Sequence, residues 1–350
     1  MNKRLFFLLL FLLLLTVITV SFVYGPVKIS ILQIIDILLN KLGINYSISD
    51  NSFTKMQSMV LLNIRLPRIL LAILVGVGLG TSGAILQGLF RNPLVDPGFI
   101  GVSSGAAVGA MIAIMFSNFF TTFISENLIS FMLPILAIIG SFVTTLMVYI
   151  LSRVHNKTNI MAMLLSGIAI NALSGALIGI FVSISSDSQL RSFTFWTLGG
   201  LDNADWFIVL LTGIVIVISL FFIFKIRSQL DIFMLGDAEA AHLGVDVEFL
   251  KKKIILISSL MVGISVSFCG MIGFIGLITP HLVRMLIGPN HQYLIPASAL
   301  LGSLLLATSD IISKSIISPA QLPIGVVTSC IGAPFFIWLI YNQKKRLSFV

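Results

Sequence analysis

Charged residues are scarce in this sequence: Asp, Glu, Lys and Arg make up only 10% of 350 residues. An average soluble domain carries roughly 25%, and a water-soluble fold this poor in charge could not cover its own surface. Disorder is excluded by the opposite excess, since 57% of residues are hydrophobic and the mean hydropathy is +1.10. Cysteine is nearly absent. Cys269 and Cys330 lie in apolar runs, where small buried residues of membrane helices are expected rather than a disulfide scaffold. No G-x-x-x-x-G-K-[ST] occurs, so the chain has no P-loop of its own. H-E-x-x-H and Cys/His clusters are missing too, and His155, His242, His281 and His291 are scattered. No catalytic residue, metal or cofactor is therefore expected, which disfavours a membrane enzyme.

What remains is a set of long apolar runs, each to be compared with the roughly 20 residues that cross a bilayer. The first, residues 5–24, is too long for a secretory signal and lacks a small-residue cleavage site, so a retained span is expected. Further spans are expected at 66–90, 100–116, 129–151, 160–184, 206–224, 294–312 and 322–341. The stretch 254–287 is too long for one upright helix. Gly270, Gly273 and Gly276 divide it into one long helix and one short one. The fold class is an all-α polytopic membrane protein of about ten helices, in a single domain covering 1–350. Ten spans put both termini on one side. With the N-terminus inside, fourteen of the 21 Lys and Arg residues fall on cytoplasmic loops, as the positive-inside rule requires. The net charge of +8 is thus assigned to membrane topology and not to nucleic acid.

Gly78-Leu-Gly-Thr-Ser-Gly83 matches G-x-G-x-x-G, but no strand precedes it, and dinucleotide binding fails on context. Gly76, Gly80, Ala84 and Gly88 instead form a four-residue stripe of the kind that brings helix backbones together in lipid. Gly167, Asn171, Gly175 and Gly179 form a second, and Asn171 is a candidate to line a polar path. Ion-coupled transporters keep ionisable groups at mid-membrane. Here the candidate is Asp310, and Lys314 one turn on makes a local ion pair the simpler explanation. A secondary transporter or channel is the competing class.

Several ordered motifs carry a resemblance: Arg65-Leu-Pro-Arg68, residues 87–98 (QGLFRNPLVDPG), Gly101-Val-Ser-Ser-Gly105, residues 273–281 (GFIGLITPH), residues 322–328 and Gly332-Ala-Pro-Phe335. Together they resemble the permease subunits of type II ABC importers for iron chelates and cobalamin. The resemblance implies a homodimer of ten-helix subunits in the bacterial cytoplasmic membrane. It also implies ATPase subunits on separate chains and a substrate-binding protein outside. Residues 194–199 and 289–297 look most like haem-importing members, with ferric-siderophore permeases next and cobalamin permeases third.

The same resemblance assigns sites. The cytoplasmic loop 226–253, with Gly236, Asp237, Glu239, Ala240, Ala241, Leu243 and Gly244 at its centre, is the expected contact with the ATPase. In the family this loop holds two short helices. Asn92 and Leu94, with Thr158 and Asn159 beside them, are expected at the inner gate. Arg65, Arg68 and Lys314 break the positive-inside pattern, and the resemblance assigns them to docking the acidic lobes of the binding protein.

Overall fold

In lipid no water is available to satisfy a free N–H or C=O, so each crossing segment must close its own hydrogen bonds. The computed structural model, which describes residues 2–44, 53–117, 119, 126–317 and 320–347, obeys this with a nearly all-helical chain. Its helices are α1 (Lys3–Val23), α2 (Ile31–Lys41), α3 (Lys55–Val60), α4 (Leu66–Leu89), α5 (Val102–Met115), α6 (Glu126–Leu151) and α7 (Ile160–Ile184). They continue as α8 (Asp187–Leu198), α9 (Trp206–Phe233), α10 (Asp237–His242), α11 (Val247–Cys269), α12 (Ile275–Ile287), α13 (His291–Ser315) and α14 (Ile324–Leu347). The only strands among the described residues are the two-residue hairpin arms Arg153–Val154 and Lys157–Thr158.

Among the described residues, seven helical segments are long and apolar enough to cross a membrane, and three shorter apolar helices (Val102–Met115, Ile275–Ile287 and Ile324–Leu339) accompany them, against about ten expected. The division of 254–287 holds. Gly270, with φ +68°, ends α11, and α12 begins five residues later.

Three boundaries differ from expectation. The second span starts at Lys55, because α3 runs through a π-turn at Leu61–Arg65 into α4 without a break. Pro67 can neither donate a backbone hydrogen bond nor sit under the carbonyl four residues back. The wider π-turn, in which the Leu66 N–H reaches Leu61 O, sits immediately before it. The loop expected at 226–253 shrinks to 234–246, since α9 continues to Phe233 and α11 begins at Val247. Helical hydrogen bonding does not stop where apolar side chains do. One short helix, α10, occupies the loop where two were expected. Two helices also went unseen in the sequence: α2 and α8, both opened by Ser capping boxes at Ser30 and Ser186.

α4 is the hub, packed against α13, α12, α11 and α9. Its glycine stripe explains the closeness. A Cβ on Gly76 would come within 2.5 Å of the Gly302 carbonyl oxygen on α13. One on Gly80 would collide with Ser298 O, and one on Gly83 with Gly276 O on α12. The second stripe divides. Gly167 is pressed against Phe99 O, but Gly175 and Gly179 face open space within this chain. α7 is largely exposed, whereas α4 is largely buried. Cys330 is likewise exposed on α14, contrary to expectation, because few elements of the same chain cover that helix. Cys269 is buried as expected, and neither cysteine is bonded.

The stripe generates a test. Gly83→Ala pushes a methyl into backbone on a neighbouring helix, which cannot rotate away. It should destabilise the fold by about 1–3 kcal/mol, seen as a lower unfolding midpoint in detergent, while Gly175→Ala, whose methyl meets nothing in this chain, should not lower the midpoint of the detergent-separated single chain.

Candidate functional site

The helix α4 spans 24 residues, about 36 Å at 1.5 Å per residue, and so reaches across a bilayer. Its two ends carry two polar clusters, one around Arg68 and the other beginning at Arg91.

At the first end Arg68 is 7% exposed, and each arm of its guanidinium has a partner. Nε donates to Asp310 Oδ1 at 2.9 Å, Nη1 to Asp202 Oδ1 at 2.8 Å, and Nη2 to Gln321 Oε1 at 2.8 Å. Asp310 is fully buried, and its other oxygen pairs with Lys314. The local Asp310–Lys314 pair expected from the sequence is therefore present, and Arg68 shares its carboxylate. The group is neutral, with two cations and two carboxylates. It joins α4 and α13 to the loop between α8 and α9, which carries Asp202, and to the loop after α13, which carries Gln321.

Arg65 is also 7% exposed. Its guanidinium donates to the carbonyl oxygens of Phe22, Val23 and Val27. Phe22 and Val23 close α1, whose last carbonyls have no partner inside the helix, so Arg65 works as a cationic C-terminal cap. Arg65, Arg68 and Lys314, which the resemblance assigns to docking the binding protein, are thus all engaged within their own chain. A bare cation at this depth would be costly, and each is instead answered by oxygen from its own chain. All three nonetheless line a cavity of about 570 Å³, together with Tyr24, Lys28 and Gln321.

The second cluster begins just past α4. Arg91, held at φ +49°, donates from Nε and Nη2 to Phe233 O at 3.1 and 2.8 Å and lies over the Phe233 ring. Nη2 also reaches Asp237 Oδ1 at 2.5 Å. The other oxygen of Asp237 receives Lys251 Nζ at 2.7 Å. Lys251 is 3% exposed and also donates to Thr158 O at 2.9 Å and to Glu248 Oε1 at 3.3 Å. Glu248 Oε2 in turn accepts from Thr158 N and Oγ1 at 2.8 and 2.9 Å.

The gate residues expected from the sequence sit beside this cluster. Asn92 and Leu94 are exposed, and Asn92 Oδ1 accepts the Leu94 N–H at 3.0 Å, forming a tight turn. Asn159 caps α7 by accepting from Ala162 N. Thr158, expected to face the pathway, is buried with its hydroxyl committed to Glu248. Asn171 is likewise committed, accepting from Ser104 Oγ and donating to Gly98 O, and so ties α7 to α5 and to the turn Pro97–Ile100.

In the loop, Gly236 (φ +135°) and Gly244 (φ +84°) bracket α10. Met234, Leu235 and Leu243 are exposed apolar residues, and Ala238, Glu239 and Ala241 are exposed with them. Ala240 is the exception to the expected contact set. It is fully buried, because α10 turns that side onto its own chain. Asp202, Gln321, Glu248, Arg91 and Lys251 were not singled out from the sequence. Their partners lie far along the chain, and only Arg91 fell inside a quoted motif. No group of three or more potential metal ligands occurs among the described residues.

Two outcomes follow. Asp310→Ala leaves Arg68 and Lys314 without their shared buried carboxylate and should cost about 3–5 kcal/mol. Asp202→Ala removes a largely exposed partner, worth roughly 0.2–1 kcal/mol. Thermal unfolding in detergent should separate the two variants in that order. The second outcome concerns pH. Partial burial raises the Asp237 carboxyl, but hydrogen bonds and charge from Lys251 and Arg91 outweigh it and hold it below the ordinary carboxylate value. A depressed folded-state value stabilises above the unfolded pKa of about 4 and is lost as pH falls through the folded value. The protection of the α10 amides, measured as exchange relative to the intrinsic rate at each pH, should hold from neutral pH down to about 5 and be lost only in stronger acid.

Comparison with known proteins agrees with this architecture. The chain is 44% identical over 289 residues to the hemin transport system permease protein HmuU of Yersinia pestis, covering 82% of this chain and 84% of that one. It is 35% identical to the cobalamin import system permease protein BtuC of Halobacterium salinarum, covering 81% and 73%. A solved chain from a metal-chelate type ABC transporter in an inward-facing conformation superposes with a TM-score of 0.81 at 33% identity, over 97% of this chain and 99% of that one. The sequence profile of the FecCD transport family matches residues 12–342, and the chain belongs to that family.

Proposed function

We propose that this chain is the membrane permease subunit of an ATP-driven importer that moves haem or another iron chelate from a binding protein into the cytoplasm. The observation that carries the substrate class is the 44% identity to a hemin permease over most of both chains. Cobalamin is the second reading, favoured by the 35% identity to a cobalamin permease. Two copies form the pathway on this reading. The exposed apolar faces of α7 and α14, with Gly175 and Gly179 open on α7, support that pairing.

Both termini are assigned to the cytoplasm, with the Arg91 end inside. The charge count supports this orientation more strongly once Arg65, Arg68 and Lys314 are seen to be answered within the chain. ATP hydrolysis belongs to separate subunits, which seat against α10 and the exposed Leu235 and Leu243. Asn92 and Leu94 close the inner exit. The binding protein docks at the Arg68 end, where Lys28 and Arg65, the latter met only by carbonyl oxygens, would attract an acidic side chain to the cavity.

Hemin uptake into vesicles holding the chain, its co-purifying ATPase and its binding protein should require ATP. The absorption spectrum of the purified binding protein distinguishes haem from a corrin. ATP-independent uptake would replace this reading with a secondary transporter. Ala241→Glu puts a charge on an exposed position of α10 and should abolish uptake while the protein remains folded in the membrane. Normal stimulation of the ATPase by this variant would remove α10 from the interface.

A further inference from the structure

Asp237 stands between three segments to which separate roles fall in the proposed function. It lies on α10, the segment assigned to the ATPase. One of its oxygens holds Arg91, the residue immediately before Asn92 and Leu94. The other holds Lys251, whose amine also grips the carbonyl of Thr158, immediately before Asn159 and the start of α7. We infer that Asp237 is a positioning residue that yokes the ATPase-facing helix to both segments of the inner gate. The inference rests on the proposed assignment of α10 and of the gate.

The geometry suits a yoke better than a simple staple. A staple needs one partner, whereas here a single carboxylate divides its two oxygens between cations from different elements. Arg91 is stiffly mounted. Its left-handed backbone, its two bonds to Phe233 O and its stacking on the Phe233 ring leave little freedom to swing without moving the turn that follows. Lys251 is mounted in the same way, buried between Thr158 and Glu248. The Asp237 side chain is 47% exposed and Arg91 32%, whereas Lys251 is 4%, so the bonds made by Asp237 are the links most open to water. Exposed pairs are individually weak and can be broken and remade. A shift of α10 therefore pulls on two stiff levers through links that can release.

The test reads the two gate segments separately in the assembled transporter. In a Cys330→Ser background, with Cys269 buried, single cysteines are placed at Leu94 and at the exposed Lys157 beside Thr158. Their maleimide labelling rates are measured in vesicles with the co-purifying ATPase, with and without vanadate-trapped nucleotide. Both rates should change by roughly fivefold or more on trapping. Arg91→Gln should flatten the response at position 94 only, and Lys251→Gln the response at 157 only. Asp237→Asn, nearly isosteric and half-exposed, should flatten both, and Asp237→Glu, which keeps two oxygens, should restore part of each. Should Lys251→Gln fail to fold, the Arg91 and Asp237 variants still decide the matter. Parent-like responses at both positions in Asp237→Asn would overturn the yoke while leaving the assignment of α10 and the gate intact. An absent response in the parent would overturn that assignment and the yoke with it.

Discussion

A charge taken out of water must find its counter-charge or its oxygens within the protein. In a chain with so little charge, that requirement decides where the polar residues go. Arg68, Asp310, Lys314 and Asp202 answer one another at one end of α4, and Arg91, Asp237, Lys251 and Glu248 do so at the other. Between these ends the chain relies on close approach of backbones, which glycine permits and any larger residue would prevent. The two devices depend on each other. Helices pressed together at Gly80 and Gly83 leave side chains at the helix ends few places to turn, so the charges there must be paired in fixed positions.

The clusters also place the functional segments. α10 and the turn at Asn92 are linked to each other and to α11 by the Arg91–Asp237–Lys251 bonds, beside the buried Ala240 and Val95. At the opposite end, Arg65 ties the close of α1 to the π-turn, and Arg68 ties α4 to α13. Features that would look like surface decoration in a soluble protein are here what fixes the loops to the bundle.

Much of this was legible in the sequence because hydropathy and local spacing are local signals. The spans, the glycine break at 270–274 and the Asp310–Lys314 pair all depend on residues within a few turns of each other. The Arg68–Asp310 bond joins positions 242 apart, and no spacing rule finds it. Lys251 is indistinguishable from Lys252 and Lys253 until the fold buries it and leaves Lys252 exposed. Thr158, expected beside the gate, and Asn171, expected from the second stripe to line a polar path, both turn their side chains to partners on other elements. Arg65 and Arg68 were noticed as anomalies in the charge pattern. Both find their partners within the chain.

The neutrality of the Arg68 cluster has an electrical consequence. A charge carried across a membrane potential gains or loses about 2.3 kcal/mol per 100 mV. Two cations and two carboxylates that shift together carry no net charge through that field, whatever path they follow. The membrane potential would do no work on these four side chains if they moved together, whereas Arg65, whose charge is met only by carbonyl oxygens, has no such compensation.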